Sequence, residues 1–130
     1  MLEKGKTIGI LGGGQLARML AVAASRIGYR THIYDQDPDS PASEIASCCT
    51  IGSFHDKALL QKFAKSIDVA TYEFENIPNS AIAEIEKNVQ IFPKKNALAI
   101  SQDRIQEKKF FRKLNLKTVE YEIVSSFENF

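Results

Sequence analysis

The chain has 130 residues, which is enough for one domain or for one domain and the start of another. Hydrophobic residues make up 44% and charged residues 25%, as in an ordinary globular protein with a real core. With 17 basic and 16 acidic side chains and no basic block, the sequence argues against nucleic acid or an anionic membrane surface as a partner. The apolar stretch near the N-terminus is broken by three glycines, Gln15 and Arg18. It is therefore too short and too polar for a signal core or a membrane span. We therefore expect a cytoplasmic protein.

Short apolar runs alternate with helical patterns over the first 95 residues, and this alternation predicts a doubly wound parallel α/β sheet. Strands are predicted at 7–11, 30–34 (closed by Asp35), 48–51, 67–72 and 90–92. A first helix is predicted from apolar residues at helical spacing, namely Leu16, Met19, Leu20, Ala23 and Ile27, with Gly28 as its stop. Ser53 and Asp56 resemble a capping box at the start of a second helix, and a third begins near Asn79 or Ser80.

The C-terminal part of the chain has a different character. A charged helix is predicted over 103–114, with Phe110, Phe111 and Leu114 as its apolar residues. Val119, Tyr121 and Ile123 then alternate with glutamates, which is typical of a half-buried strand. We therefore predict one α/β domain over 1–95, followed over 96–130 by a linker helix and the incomplete beginning of a second domain.

Three consecutive glycines, Gly12 to Gly14, lie between the first strand and the first helix. Glycine lets the backbone turn sharply and come close to a ligand, while the N–H groups at the helix start face outward. This loop predicts a phosphate site, although it does not say which phosphate is bound. A tight turn with no ligand is the structural alternative.

The same loop also fits a dinucleotide site. Gly12, Gly14 and Ala17 match the pattern G-x-G-x-x-G/A, and Asp35 ends the second strand, where an acid that binds ribose belongs. A nucleotide-binding regulatory module for NAD or an adenine nucleotide is therefore one hypothesis. It leaves the acidic segment after the fourth strand unexplained.

That segment contains Glu73, Glu75 and Asn76 and follows the strand at the carboxyl edge of the sheet, where open α/β folds bind ligands. Two carboxylates and an amide there could hold the hydroxyl groups of a sugar, with Glu73 the stronger candidate. Glu75 could instead cap the helix that follows. A nicotinamide enzyme has no general need for an acidic pair at this point.

Four segments together resemble one family: IGILGGGQLARM at 8–19, YDQDP at 34–38, TYEFEN at 71–76 and QDRIQEK at 102–108. In this order and spacing they are similar to the N-terminal portion of N5-carboxyaminoimidazole ribonucleotide synthetases, which belong to the ATP-grasp superfamily. The resemblance runs over essentially the whole chain. It implies a Rossmann-like pre-ATP-grasp domain, followed by the truncated start of an ATP-grasp domain.

The resemblance also implies an activity. Enzymes of this family use ATP and Mg²⁺ to join bicarbonate to 5-aminoimidazole ribonucleotide, giving the N5-carboxylated ribonucleotide, ADP and phosphate in purine biosynthesis. It implies that the backbone amides of Gly14, Gln15 and Leu16 hold the ribonucleotide phosphate, that Glu73 contacts the ribose hydroxyls, and that Arg104 reaches the ATP phosphates. Ala17 stands where many members carry glycine, and we expect little effect from this difference.

Most of the catalytic groups of such an enzyme would lie in an ATP-grasp domain, and we expect the chain to end inside that domain. We therefore expect no catalytic residue and no metal site within these 130 residues, no tight binding of ATP or Mg²⁺, and no carboxylation by this chain alone. Apolar surface around Phe110 and Phe111 would favour self-association, with a homodimer as one form.

Overall fold

A parallel four-stranded sheet forms the centre of the computed structural model, which describes residues 2–124 and 126. The strands are β1 (Thr7–Leu11), β2 (Arg30–Asp35), β3 (Cys48–Ile51) and β4 (Val69–Tyr72). Their order in the sheet is β3-β2-β1-β4. The chain thus builds outward from β1 on one side and then crosses to the other side of β1, which confirms the predicted doubly wound arrangement.

Five helices complete the described fold: α1 (Gln15–Arg26), α2 (Lys57–Lys65), α3 (Asn79–Glu86), α4 (Lys95–Ser101) and α5 (Arg104–Lys113). The first strand has the predicted bounds, the second includes Asp35, and the third also matches the prediction. The fourth is two residues shorter than predicted. None of the helices in the described chain has the length and hydropathy that a membrane span requires.

Two predicted local features are wrong in detail. The cap of α2 is Asp56 alone, whose carboxylate accepts from the backbone N–H of Leu59 at 2.9 Å, whereas the Ser53 hydroxyl accepts from His55 N–H. The predicted fifth strand is reduced to a single parallel bridge between Ile91 and Ala70. Pro93 follows directly and has no N–H to donate, so the ladder cannot continue through it.

Helices cover both faces of the sheet because strand side chains alternate between them. On one face Ile10 and Ile33 pack with Ala17 of α1 and with Ala42. The opposite face carries the larger core, whose fully buried side chains come from β1, β2, α2, α3 and α4, among them Leu11, Tyr34, Phe63, Ile82 and Leu98. Leu98 brings α4, which was not predicted, into this core. The division of the chain at residue 95 stays a prediction.

Helix α1 faces the sheet with small residues rather than with the large apolar ones. Ala17, Ala21 and Ala24 are buried, whereas Met19 is 66% and Ile27 is 62% exposed. The apolar residues whose spacing predicted this helix are therefore not the ones that it buries. Since alanine carries only a methyl group, these three residues let the helix approach the sheet closely, and the larger residues lie on its outer side.

The residues after α5 form no strand in the described chain. Residues 116–124 have no regular secondary structure, and Val119 and Ile123 are largely exposed. The alternating pattern predicted a half-buried strand, and this prediction is wrong. A strand needs a neighbour that accepts and donates ladder hydrogen bonds, and no described residue pairs with this segment.

His32 connects three elements beneath the larger core. Its Nε2 lies 2.8 Å from Thr50 Oγ1 on β3, and its Nδ1 lies 3.0 Å from Ser66 Oγ after α2. Because the Ser66 hydroxyl donates to the carbonyl of Phe63, it is free to accept from His32 Nδ1–H. Burial lowers the pKa of His32 below its ordinary value of 6.5.

We expect the free energy of unfolding to decrease as the pH falls from 7.5 to 5.5. The unfolded chain protonates His32 near pH 6.5, whereas the folded chain does so only at a lower pH, so acid favours the unfolded state. Urea denaturation at both pH values measures this change. His32→Gln should remove most of the dependence, and His55→Gln, at an exposed histidine, should preserve it. An unchanged pH dependence in His32→Gln would contradict the assignment.

Candidate functional site

The site lies where the sheet changes winding direction, between the carboxyl ends of β1 and β4. The two strands pair in parallel, with Leu11 opposite Tyr72. The pairing continues one step further, because the N–H of Glu73 donates to the carbonyl of Leu11 at 3.2 Å. The glycine loop after β1 and the acidic segment after β4 therefore begin side by side, at the place where open α/β sheets bind ligands.

Each glycine of the loop donates its N–H to a different acceptor. Gly12 donates to the carbonyl of Tyr34 at 2.9 Å, Gly13 donates to Asp35 Oδ2, and Gly14 donates to Glu73 Oε1 at 3.3 Å. Gly12 has a φ of +92°, a conformation that only glycine adopts without strain. The loop is therefore held by the ends of the neighbouring strands on both sides of β1.

The open donors belong to the first turn of α1. Gly14 is the N-cap and has no side chain to cap the helix, and the first hydrogen bond into the helix runs from Arg18 N–H to Gly14 at 3.0 Å. The N–H groups of Gln15 and Leu16 accordingly have no acceptor within the described residues, and both residues are exposed. Two adjacent donors at the positive end of a twelve-residue helix are suited to an anion.

Gly14 and Glu73, two of the predicted site residues, are thus brought into contact. The fit is close, since a Cβ on Gly14 would lie 2.7 Å from Glu73 Oε1. Glu73 is half-buried and makes a single long hydrogen bond, which leaves most of its acceptor capacity free. The carboxylate therefore lies beside the start of α1 and has acceptor capacity left for hydroxyl donors.

The Asp35 carboxylate binds backbone N–H groups of the loops around it, which the sequence did not predict. One carboxylate oxygen accepts from Gly13 and the other accepts from the N–H of Asp37 at 2.8 Å. Ser40 packs against the same glycine, where a Cβ would lie 2.3 Å from its Oγ, and Ala42 N–H donates to the carbonyl of Gly13 at 2.8 Å. Asp35 is engaged with the loop itself, so a dinucleotide ribose would have to displace these bonds.

Arg104 is not joined to the rest of the predicted site. It is the first residue of α5, and its exposed guanidinium forms an ion pair with Glu107 one turn later. No hydrogen bond or ion pair in the described chain connects it to Gly14 or Glu73. Its neighbour Gln102, however, donates to the carbonyls of Glu75 and Ile77, a link that no sequence motif had indicated.

The acidic residues of the site do not form a metal centre. Across the described ranges, no group of three or more histidine, cysteine, aspartate or glutamate side chains could hold an ion. Glu75 is exposed, and its contribution to the structure is its backbone carbonyl. The fold and the site together define a parallel α/β domain with a glycine loop, open N–H groups at the start of α1 and one carboxylate at the switch point of the sheet.

Comparison with known proteins extends this description. The N5-carboxyaminoimidazole ribonucleotide synthase of Brucella melitensis is 42% identical over 127 residues, which are 98% of this chain and 35% of that protein. A solved synthetase in complex with ADP is similar with a TM-score of 0.94 and 36% identity, over 99% of this chain and 34% of that one. The Aspergillus clavatus synthase, solved with ADP and 5-aminoimidazole ribonucleotide, gives a TM-score of 0.80 and 33% identity over 90% of this chain and 31% of that one.

The model of the ribonucleotide synthetase pre-ATP-grasp domain matches residues 5–102, and the chain belongs to this family. The resemblance predicted from the four sequence segments is thereby confirmed. The chain spans between 13% and 35% of the length of the curated relatives that it matches, always in their N-terminal part.

Proposed function

We propose that this chain supplies the ribonucleotide-binding part of an ATP-dependent carbon–nitrogen ligase that carboxylates 5-aminoimidazole ribonucleotide with bicarbonate in purine biosynthesis. The observation that carries the proposal is the contact between Gly14 and Glu73, which places a carboxylate beside the open N–H groups of Gln15 and Leu16. A phosphate and a ribose are joined in one molecule, and the site offers neighbouring partners for both.

The chemistry of the two partners is complementary to a ribose phosphate. Backbone N–H groups at a helix start bind a phosphate through hydrogen bonds, and the helix dipole adds about 0.3–1 kcal/mol. Glu73 would repel a phosphate placed directly on it, but its oxygens accept strongly from hydroxyl groups. The phosphate therefore belongs over Gln15 and Leu16, and the ribose belongs beside Glu73.

We assign Gly14 a smaller part in phosphate binding than the resemblance implies. Its N–H already donates to Glu73, so we assign the main phosphate contacts to the next two residues. Gly14 instead contributes its missing side chain, since a Cβ would collide with the carboxylate. The substrate-binding set remains Gly14, Gln15, Leu16 and Glu73.

Of the ATP site, the described residues supply Arg104 at most. Its exposed guanidinium is suited to a phosphate oxygen, and releasing it from Glu107 costs little because the pair is on the surface. ATP would supply the phosphoryl group that activates bicarbonate, and Mg²⁺ would neutralise its phosphates, but the described chain offers no carboxylate cluster for that ion. We therefore expect no carboxylation by the 130-residue chain alone, and the expected homodimer and cytoplasmic location stay predictions.

Glu73→Gln tests the division between phosphate and ribose. We expect the variant to bind ribose 5-phosphate roughly tenfold more weakly, because a charged acceptor of hydroxyl groups is lost. Inorganic phosphate should bind equally well or more tightly, because a nearby negative charge is removed. Titration calorimetry with both ligands and with 5-aminoimidazole ribonucleotide measures these affinities.

Glu75→Gln is the matched control. It makes the same substitution two residues further along the chain, at an exposed side chain. It should leave both affinities unchanged. NADH serves as the competing ligand: micromolar binding of NADH, together with no heat from the ribonucleotide, would overturn the proposal in favour of a dinucleotide module. Equal loss of affinity in both glutamate variants would show a general charge effect rather than a contact by Glu73.

A further inference from the structure

One glutamine side chain ties the acidic segment to the helices that follow the sheet. Gln102 lies between α4 and α5, and its Nε2 donates to the carbonyl of Glu75 at 2.5 Å and to that of Ile77 at 2.7 Å. Its Oε1 accepts from Asn79 Nδ2 at 2.5 Å. The nitrogen and the oxygen of one side-chain amide thus both bind within residues 75–79.

This arrangement fixes the segment on the far side of Glu73. The near side is fixed by the sheet, where Glu73 N–H donates to the carbonyl of Leu11. Between the two attachments, Phe74 packs against the larger core, whereas Glu75 and Asn76 are exposed. Ile77 is fully buried in the same core, so the loss of Gln102 would leave these packing contacts and remove the side-chain hydrogen bonds that fix the carbonyls of Glu75 and Ile77.

Gln102 lies at the junction of two helices, so its side chain connects this junction to the acidic segment. Its backbone N–H donates to Leu98 at 3.0 Å as the C-cap of α4. Asp103 then caps α5 by accepting from two backbone N–H groups, and Arg104 follows as the first residue of that helix. A movement of the junction between α4 and α5 would therefore be transmitted to both Arg104 and the segment that carries Glu73.

We propose that Gln102 is a positioning residue that sets the Glu73 carboxylate for ribose binding and couples it to the helix that carries Arg104. This inference rests on the proposed function, because it assumes that Glu73 contacts a ribose. The side chain acts through three hydrogen bonds to the protein and is not assigned any contact with substrate.

The test compares Gln102→Glu and Gln102→Met with the unmodified chain. Glutamate keeps the length but turns an acceptor toward two carbonyls, and methionine removes both donor and acceptor without adding charge. We expect either variant to weaken binding of ribose 5-phosphate roughly three- to tenfold, the range of one or two lost hydrogen bonds. Inorganic phosphate, which uses the N–H groups of α1, should bind with unchanged affinity.

Two further measurements separate positioning from general stability. Gln106→Glu, at an exposed position in the first turn of α5, makes the same change as Gln102→Glu and should leave both affinities unchanged. In a Glu73→Gln background, Gln102→Met should cause no further loss of ribose 5-phosphate affinity, because the effect passes through Glu73. An additive loss, or an equal loss of phosphate binding, would overturn the inference.

The two proposals fail in different ways. If the unmodified chain binds neither ribose 5-phosphate nor the aminoimidazole ribonucleotide, the proposed function is wrong and the inference falls with it. If the unmodified chain binds ribose 5-phosphate and both Gln102 variants, folded by circular dichroism, bind it equally well, the inference alone is wrong.

Discussion

Replacing Phe63 by alanine is expected to lower the free energy of unfolding by about 3–5 kcal/mol, a large share of the roughly 5–15 kcal/mol that stabilises a domain. Phe63 is 1% exposed, and its ring lies edge-on to His32 at 4.9 Å and to Tyr34 at 5.3 Å between centroids. It also covers Gly9 of β1, where a Cβ would lie 2.8 Å from its Cζ. Removing the ring therefore opens a cavity against two strands.

Thermal and urea unfolding measure this loss, and Tm should fall by roughly 10–20 °C. Phe110→Ala is the matched control, because it makes the same substitution in a helix at a side chain that is 38% exposed. We expect it to cost about 1 kcal/mol or less. If Phe63→Ala were no more costly than Phe110→Ala, α2 would not be the main cover of this face of the sheet.

The first three strands were predictable from sequence because their residues favour a strand locally and are also placed in the sheet by the fold. β1 and β3 have the predicted bounds, and β2 extends the prediction only to Asp35. These runs are apolar, and a glycine or turn follows each of them. The edge of the sheet was less predictable, since a strand such as 90–92 depends on partners distant in sequence, and only Ile91 forms a bridge.

Helix α1 shows where hydrophobic periodicity misleads. Apolar residues at helical spacing, among them Leu16, Met19 and Leu20, predicted the helix, but the residues that it buries are Ala17, Ala21 and Ala24. Periodicity finds a helix, whereas the face that packs is decided by the space available between the helix and the sheet. Helix α4 was missed for a related reason: it has seven residues, and Leu98 is its one buried side chain.

The sequence predicted which residues form the candidate site, but not the hydrogen bonds that connect them. The glycine loop and Glu73 could be placed together from sequence, because both follow parallel strands at the same sheet edge. That Asp35 is engaged with Gly13, and that Gln102 binds the carbonyls of the acidic segment, depend on side-chain directions that no spacing encodes. The contact of Arg104 with a nucleotide stays a prediction.

Gly12→Ala is expected to destabilise the chain by roughly 2–5 kcal/mol and to weaken binding of ribose 5-phosphate more than tenfold. A φ of +92° costs a side chain about 1–2 kcal/mol. The new Cβ would also lie 2.9 Å from Phe74 Cδ1 and 3.0 Å from Glu73 Cγ, and such overlap typically adds about 1–3 kcal/mol. Relief of this overlap moves Glu73, so binding is lost along with stability.

Gly5→Ala separates the two causes. Gly5 has a similar φ of +84°, but a Cβ there would meet nothing within 4 Å. It should therefore show the backbone strain alone, with ribose 5-phosphate affinity unchanged in calorimetry on the folded chain. If both alanine variants lost the same stability and both still bound the ligand, the contact between the glycine loop and Glu73 would have no part in binding. A loss confined to Gly12→Ala would instead show that the loop and the carboxylate act as one site, as their hydrogen bond at the switch point of the sheet requires.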